Sequence, residues 1–153
     1  FLQVYMLQGV FMFIIGYAVF YANVNGLNMS WWMVIGGIVF LLGYFFEVVG
    51  DRQLRNHVSN KENKGKLINT GLWKYTRHPN YFDEALLWWG VFAVLVAGGV
   101  PWYFFFSPLA ITLLIRYVSG VPLLEKRMEK YEGWDAYAAK TSIFIPCVKK
   151  GTK

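Results

Sequence analysis

Four apolar runs, at 2–22, 31–49, 81–97 and 102–118, dominate the chain, and polar residues gather after the second and fourth runs. A helix needs about 20 apolar residues to cross the hydrocarbon of a bilayer, so the pattern predicts about four transmembrane helices. Gly9, Gly16, Gly36, Gly37 and Gly43 fall inside the first two runs, where small residues let membrane helices approach closely. Beyond the SGVP of 119–122, the segment 123–140 sets Leu124, Met128, Tyr131 and Trp134 toward one side and Glu125, Lys126, Glu129 and Lys130 elsewhere. That spacing predicts an amphipathic helix lying along the membrane. The expected fold class is all-α: a polytopic helical membrane bundle with a C-terminal amphipathic cytoplasmic helix, forming a single membrane domain over 1–153.

Composition narrows the partners. Hydrophobic residues make up 56% of the 153 residues and charged residues 16%, against about 25% charged in soluble domains. A net charge of +6 is compatible with nucleic acid, but the basic residues lie beside apolar runs and form no stripe on a polar protein. The lipid bilayer is the expected partner, not nucleic acid. All 15 Lys and Arg follow residue 51, seven of them in the loop 51–78 and seven in 121–153, whereas the connections 23–30 and 98–101 carry no charge. The positive-inside tendency therefore expects the loop and the C-terminal segment in the cytoplasm. Phe1 opens directly into an apolar run without a charged leader, which argues against a signal peptide. The single cysteine, Cys147, leaves no internal disulfide or CxxC pair and reads as a packing residue.

Candidate chemistry concentrates in GLWKYTRHPNYFDE, residues 71–84, where ionisable groups meet the start of an apolar run. Such groups at a membrane boundary are expected to be functional. Pro79 suits the first turn of a helix, with His78 or Thr76 available to cap it. Asn80 and Glu84 then share one face with Trp88, and Arg77 and Tyr81 form a second pair at the same spacing. A helix start beside a guanidinium and an imidazole attracts anionic groups, while Asn80 and Glu84 suit an amide, a ribose hydroxyl or an amine. Upstream, Glu47, Asp51 and Arg55 recur every four residues and share a face of a helix leaving the membrane. Glu47 sits among Phe45, Phe46, Val48 and Val49, where an unpaired carboxylate is expensive. Arg116 falls at the cytoplasmic end of the fourth run, placed either to snorkel to headgroups or to bind a ligand. Glu125, Arg127 and Tyr131 are positioned to close a pocket from below. HEXXH is absent, and no metal is assigned.

The order FEVVGDRQLR, GKLINTGLWKYTRHPNYFDEALLWWG and RYVSGVPLLEKRMEKYEGWDAYAAKTSIFIP resembles the DUF1295 branch of the steroid 5-alpha-reductase-like membrane proteins. RHPxY is also similar to isoprenylcysteine carboxyl methyltransferases, and a YxRxPNYFG pattern occurs in sterol C14-reductases. The reductase resemblance implies a helical membrane fold that takes NADPH from the cytoplasmic side and reduces a carbon–carbon double bond conjugated to a carbonyl in a lipophilic substrate. It implies that Asp51, Arg55 and Lys66 contact the cofactor, that Asn80 and Glu84 reach its nicotinamide end, and that Arg116 adds a basic contact. Arg77, His78, Tyr81 and Glu125 complete the expected cofactor-binding set. The methyltransferase alternative implies S-adenosylmethionine held by His78, Tyr81 and Glu125, and a third alternative is a protein that keeps a degenerate pocket for binding or assembly. Asp83 stands where family members usually have Gly. The family's proton-donating Glu and Tyr lie on helices with no match in this chain, so the catalytic acid is unassigned, and the chain is expected to be the C-terminal part of a six- to seven-helix protein.

Overall fold

The computed structural model describes residues 2–147, and their regular structure is helical apart from one isolated parallel bridge between Thr76 and Ser142. Six α-helices follow in order: α1 Leu2–Asn25, α2 Met33–Ser59, α3 Pro79–Ala97, α4 Phe106–Leu113, α5 Val121–Met128 and α6 Trp134–Lys140. A 3-10 turn at Trp102–Phe105 leads into α4, and π-helical Leu114–Ser119 joins α4 to α5, so that Trp102–Met128 runs as one helical stretch. Three helices are long and apolar enough to cross a membrane: Leu2–Asn25, Met33–Ser59 and Trp102–Met128. They mark a polytopic membrane protein.

The fourth expected crossing, α3, is 19 residues long and is less apolar than those three, because Asn80, Asp83 and Glu84 occupy its first turns. It runs antiparallel along α2, from the basic end of the bundle to the end that holds the uncharged connections. Gly36 of α2 abuts Gly90 and Val94, Gly43 abuts Asp83 and Leu87, and Gly50 abuts Pro79 and Asn80. All three are buried and recur every seven residues, the spacing that keeps one helix face against a partner. The lack of a side chain brings the two backbones together.

On the other side of α3, Ala18 and Ala22 of α1 pack with Leu95, Val100 and Phe104. Tyr17 and Tyr21 meet the Phe104 ring edge-on at 5.1 and 5.0 Å, and the Ser107 hydroxyl donates to the Ile15 carbonyl. The two uncharged connections share one end of the bundle, where the Asn28 amide donates to the Gly98 carbonyl at 2.9 Å. At the opposite end the basic loop and the C-terminal segment come together. The Arg77 amide donates to the Ser142 carbonyl at 2.8 Å and the Cys147 amide to the Tyr75 carbonyl at 3.1 Å.

Two local expectations change. Helix α2 continues to Ser59, through the Asp51 and Arg55 expected on one of its faces and one turn beyond them, so the segment expected as loop 51–78 opens as helix. The single amphipathic helix expected over 123–140 is broken into α5 and α6. Gly133 adopts φ +79°, a left-handed turn that glycine tolerates without a Cβ clash. The reversal lets Met128, Trp134 and Tyr137 form a small core with Leu67 and Leu124, while Tyr131, expected on the apolar side, is exposed.

Candidate functional site

Pro79 occupies the first turn of α3 as expected, but His78 precedes it without a side-chain capping bond. Its ring points instead at Glu125. Nε2 of His78 lies 2.6 Å from Oε1 of Glu125, and Arg77 grips the same carboxylate with both arms, Nε donating to Oε1 at 3.0 Å and Nη2 to Oε2 at 2.6 Å. This bidentate geometry is the strongest form of guanidinium–carboxylate pairing. Nη1 of Arg77 donates to the carbonyls of Ala138 and Thr141 at 2.8 and 2.9 Å, and the guanidinium sits 5.3 Å from the centre of the Trp134 ring. Thr76 Oγ1 donates to the Phe144 carbonyl at 2.8 Å, and Tyr137 OH donates to the Trp73 carbonyl at 2.7 Å. Together these contacts clasp the loop before α3 to α5, α6 and the segment after them.

The clasp is closed. Thr76, Arg77 and His78 are buried, at 0%, 6% and 1% exposure, and Tyr81 covers the His78 ring at 5.6 Å. Burial, the largest influence, lowers the His78 pKa below its ordinary 6.5, with Arg77 and Arg116 pushing the same way and Glu125 opposing. The unfolded chain therefore takes up this proton before the folded one does. Stability from a neutral His78 is complete above about pH 6.5 and is lost as pH falls below it, by at most about 1.4 kcal/mol per pH unit for one proton. Melting temperatures of wild type and His78→Gln between pH 8 and pH 5 check this, and the variant is expected to show the flatter profile.

A second group of polar residues lies one turn further on, at the rim where α2 meets α3. Asn80 Nδ2 donates to Asp51 Oδ1 at 2.5 Å, locking the two helices across Gly50. The Asn80 Oδ1 atom is buried without a donor. Glu84 is exposed and accepts from Trp88 Nε1 at 3.1 Å, while Asp83 is buried beside it at 3% exposure. Glu47, Glu84 and Asp51 are the charges that act on Asp83.

The ten expected contacts thus divide. Arg77, His78 and Glu125 bond one another in the clasp, Tyr81 packs on it, and Arg116 acts on His78 from the π-helical turn while lying 4.8 Å from the centre of its neighbour Tyr117's ring. Asp51, Asn80 and Glu84 form the rim. Arg55 is exposed one turn beyond Asp51. Lys66 lines a separate cavity of about 670 Å³ with His57, Asn69, Thr70, Glu132 and Tyr137. Thr76, Trp134 and Tyr137 were not among the expected contacts. A threonine just ahead of the RHP sequence and an aromatic pair three residues apart in α6 are the local signals that point to them.

The model of the family described as "Protein of unknown function (DUF1295)" matches residues 1–141. The chain belongs to the DUF1295 family. Within it, this member is similar to the steroid 5-alpha-reductase DET2 of Arabidopsis thaliana, with 38% identity over 66 residues that cover 41% of this chain and 24% of the relative. The matched segment therefore spans about a quarter of that protein's length. No solved structure matches the chain. Membership agrees with an all-helical membrane fold and a steroid 5-alpha-reductase-like family, and of the rim residues Asp51, Asn80 and Glu84, Glu84 is the exposed one.

Proposed function

We propose that this DUF1295 protein supplies the cofactor-holding part of a membrane reductase, which passes a hydride from NADPH to a carbon–carbon double bond conjugated to a carbonyl in a lipophilic substrate. The observation that carries the reading is the rim itself: an Asn80 amide pinned by Asp51, one turn from an exposed Glu84, whose carboxylate is the acceptor that the N–H of a nicotinamide carboxamide would meet. The similarity to a steroid 5-alpha-reductase supports the same class of chemistry. On this reading Arg55 and Arg116 receive the phosphates, and the basic loop and C-terminal segment face the cytoplasm. The chain's residues hold and orient the ring, since hydride transfer requires donor and acceptor carbons in close alignment, and the cofactor itself supplies the hydride. The reading with S-adenosylmethionine is weaker, because His78 and Glu125 are already bonded to each other and to Arg77.

Thermal shifts of the full-length protein in detergent, with NADPH, NADH, S-adenosylmethionine and S-adenosylhomocysteine, test the proposal, because a ligand that binds the native state raises its apparent stability. A shift with NADPH that Asn80→Ala abolishes and Lys130→Ala retains is the expected result. Stabilisation by S-adenosylhomocysteine with none from either nicotinamide cofactor would overturn it.

A further inference from the structure

The cavity that Lys66 lines lies outside the rim and shares only Tyr137 with the clasp. It measures about 670 Å³ and is walled by the end of α2, the loop that follows it and the turn from α5 to α6, a size within the roughly 300–1,000 Å³ usual for small-molecule sites. Hydrogen bonds fix its walls. The His57 ring donates from Nε2 to the Lys66 carbonyl at 3.0 Å, since a carbonyl only accepts, and Asn63 Nδ2 donates to the His57 carbonyl at 3.3 Å. These two bonds hold the loop to α2. On the α6 wall, Tyr137 is anchored by its hydroxyl, which donates to the Trp73 carbonyl. A cavity set in this way loses little freedom when a ligand enters.

Two opposite charges line this one space without meeting. Lys66 comes from the loop and Glu132 from the turn between α5 and α6. Both are exposed, and among the described residues neither forms an ion pair. Asn69 and Thr70 stand on the loop side with Lys66, and the Thr70 hydroxyl makes no capping bond. We infer that the cavity binds a zwitterionic phosphoamine, a phosphate joined by a short chain to an ammonium, either free or as a phospholipid headgroup. The phosphate oxygens accept from the Lys66 ammonium, the Asn69 amide and the Thr70 hydroxyl. Their tetrahedral arrangement serves donors from several directions, which the plane of a carboxylate does not. The ligand's ammonium donates to Glu132, and bonds of this charge-assisted kind are the stronger class. A simple anion leaves Glu132 unpaired, and a simple amine leaves Lys66 unpaired. No residue of the rim takes part, so the site is independent of the nicotinamide reading.

Thermal shifts of the full-length protein in detergent, across concentration series of phosphoethanolamine, inorganic phosphate and ethanolamine, test the inference, because a ligand of the native state raises its apparent stability. Phosphoethanolamine is expected to stabilise at concentrations where phosphate and ethanolamine do not. Lys66→Gln and Glu132→Gln are each expected to weaken its apparent affinity by about tenfold, the loss of one hydrogen bond to a charged group. Both side chains are exposed, and Lys66 meets His57 through its backbone carbonyl, so the walls survive either change. Lys61→Ala, outside the cavity, changes nothing. Short-chain phosphatidylethanolamine and phosphatidylglycerol added to the micelles separate the two sources. Competition by the ethanolamine lipid alone assigns the site to a headgroup, and competition by neither assigns it to the free compound. Equal competition by both lipids, equal shifts with phosphate and phosphoethanolamine, a phosphoethanolamine shift that both Gln variants retain, or no shift at all overturns the inference.

Discussion

Glu125→Ala is expected to destabilise the protein by about 3–5 kcal/mol, the range seen when one partner of a buried, hydrogen-bonded charge pair is removed. Three donors lose their acceptor at once: Nε and Nη2 of Arg77 and Nε2 of His78. The carbonyls of Ala138 and Thr141 still receive Nη1, but they do not neutralise a guanidinium on a residue that is 6% exposed. The loop then separates from α5, and the first turn of α3 loses the anchor that sets Asn80. Glu125→Gln keeps one carbonyl acceptor and is expected to lose less, while Arg77→Lys gives up the bidentate fork and falls closer to Glu125→Ala. Melting of the purified variants in detergent, followed by circular dichroism, orders the three. A Glu125→Ala protein that melts within a degree of wild type would mean the clasp behaves as an exposed pair, worth about 1 kcal/mol or less. The experiment also separates two roles for Glu125, since a residue that only touched cofactor would lose affinity and keep its melting temperature.

Glu125 also shows where reading a sequence stops. Arg77, His78, Asn80, Tyr81 and Glu84 stand within eight residues, and adjacency alone assigns them to one pocket. The structure separates them because His78 and Arg77 precede the helix and turn toward a carboxylate 47 and 48 residues away, whereas Asn80 and Glu84 lie on α3 and face the rim. No local spacing announces that partner. The apolar runs were legible because crossing lipid is a matter of composition over about 20 residues, and the uncharged turns meet at one end of the bundle as the charge pattern requires. The end of α2 was not legible, since a helix continues into water with polar residues as readily as it stops. The break before α6 was hidden by an apolar period that runs through it, and Gly133 was its single local sign.

Clasp and rim are parts of one device. The clasp fixes Arg77, His78 and Pro79 from the C-terminal side, the Asp51 to Asn80 bond fixes the same helix start from α2, and Glu84 remains open one turn above. A site held from two sides before any ligand arrives loses less freedom on binding. Arg77, His78 and Pro79 are buried and none of residues 77–81 is exposed, so on the proposed reading the segment serves to position the rim beside it.

The glycine seam gives the other large effect. A Cβ at Gly36 would stand 2.5 Å from the Val94 amide nitrogen and 2.9 Å from the Gly90 carbonyl oxygen. These are backbone atoms, so α3 must move as a body. Gly36→Ala is expected to reach the upper end of the roughly 1–3 kcal/mol typical of overpacking, and Gly36→Leu to prevent the pair from forming. Gly37 is the matched control, because a Cβ there meets nothing within 4 Å, and its replacement by Ala is expected to stay within about 0.5 kcal/mol of wild type. At Gly43 the nearest atom is the Leu87 amide at 2.9 Å, which places Gly43→Ala between the two. Gly50 differs in kind. Its Cβ would meet Asn80 Oδ1 at 2.7 Å, the end of a side chain that can rotate, so Gly50→Ala is expected to melt near wild type while losing the Asn80 to Asp51 bond and with it NADPH binding. Melting and cofactor titration of the four Ala variants should therefore rank in opposite orders at the two ends of the seam, with Gly36 dominating stability and Gly50 dominating affinity. Equal melting of Gly36→Ala and Gly37→Ala would show that α2 and α3 do not approach as closely as this seam requires.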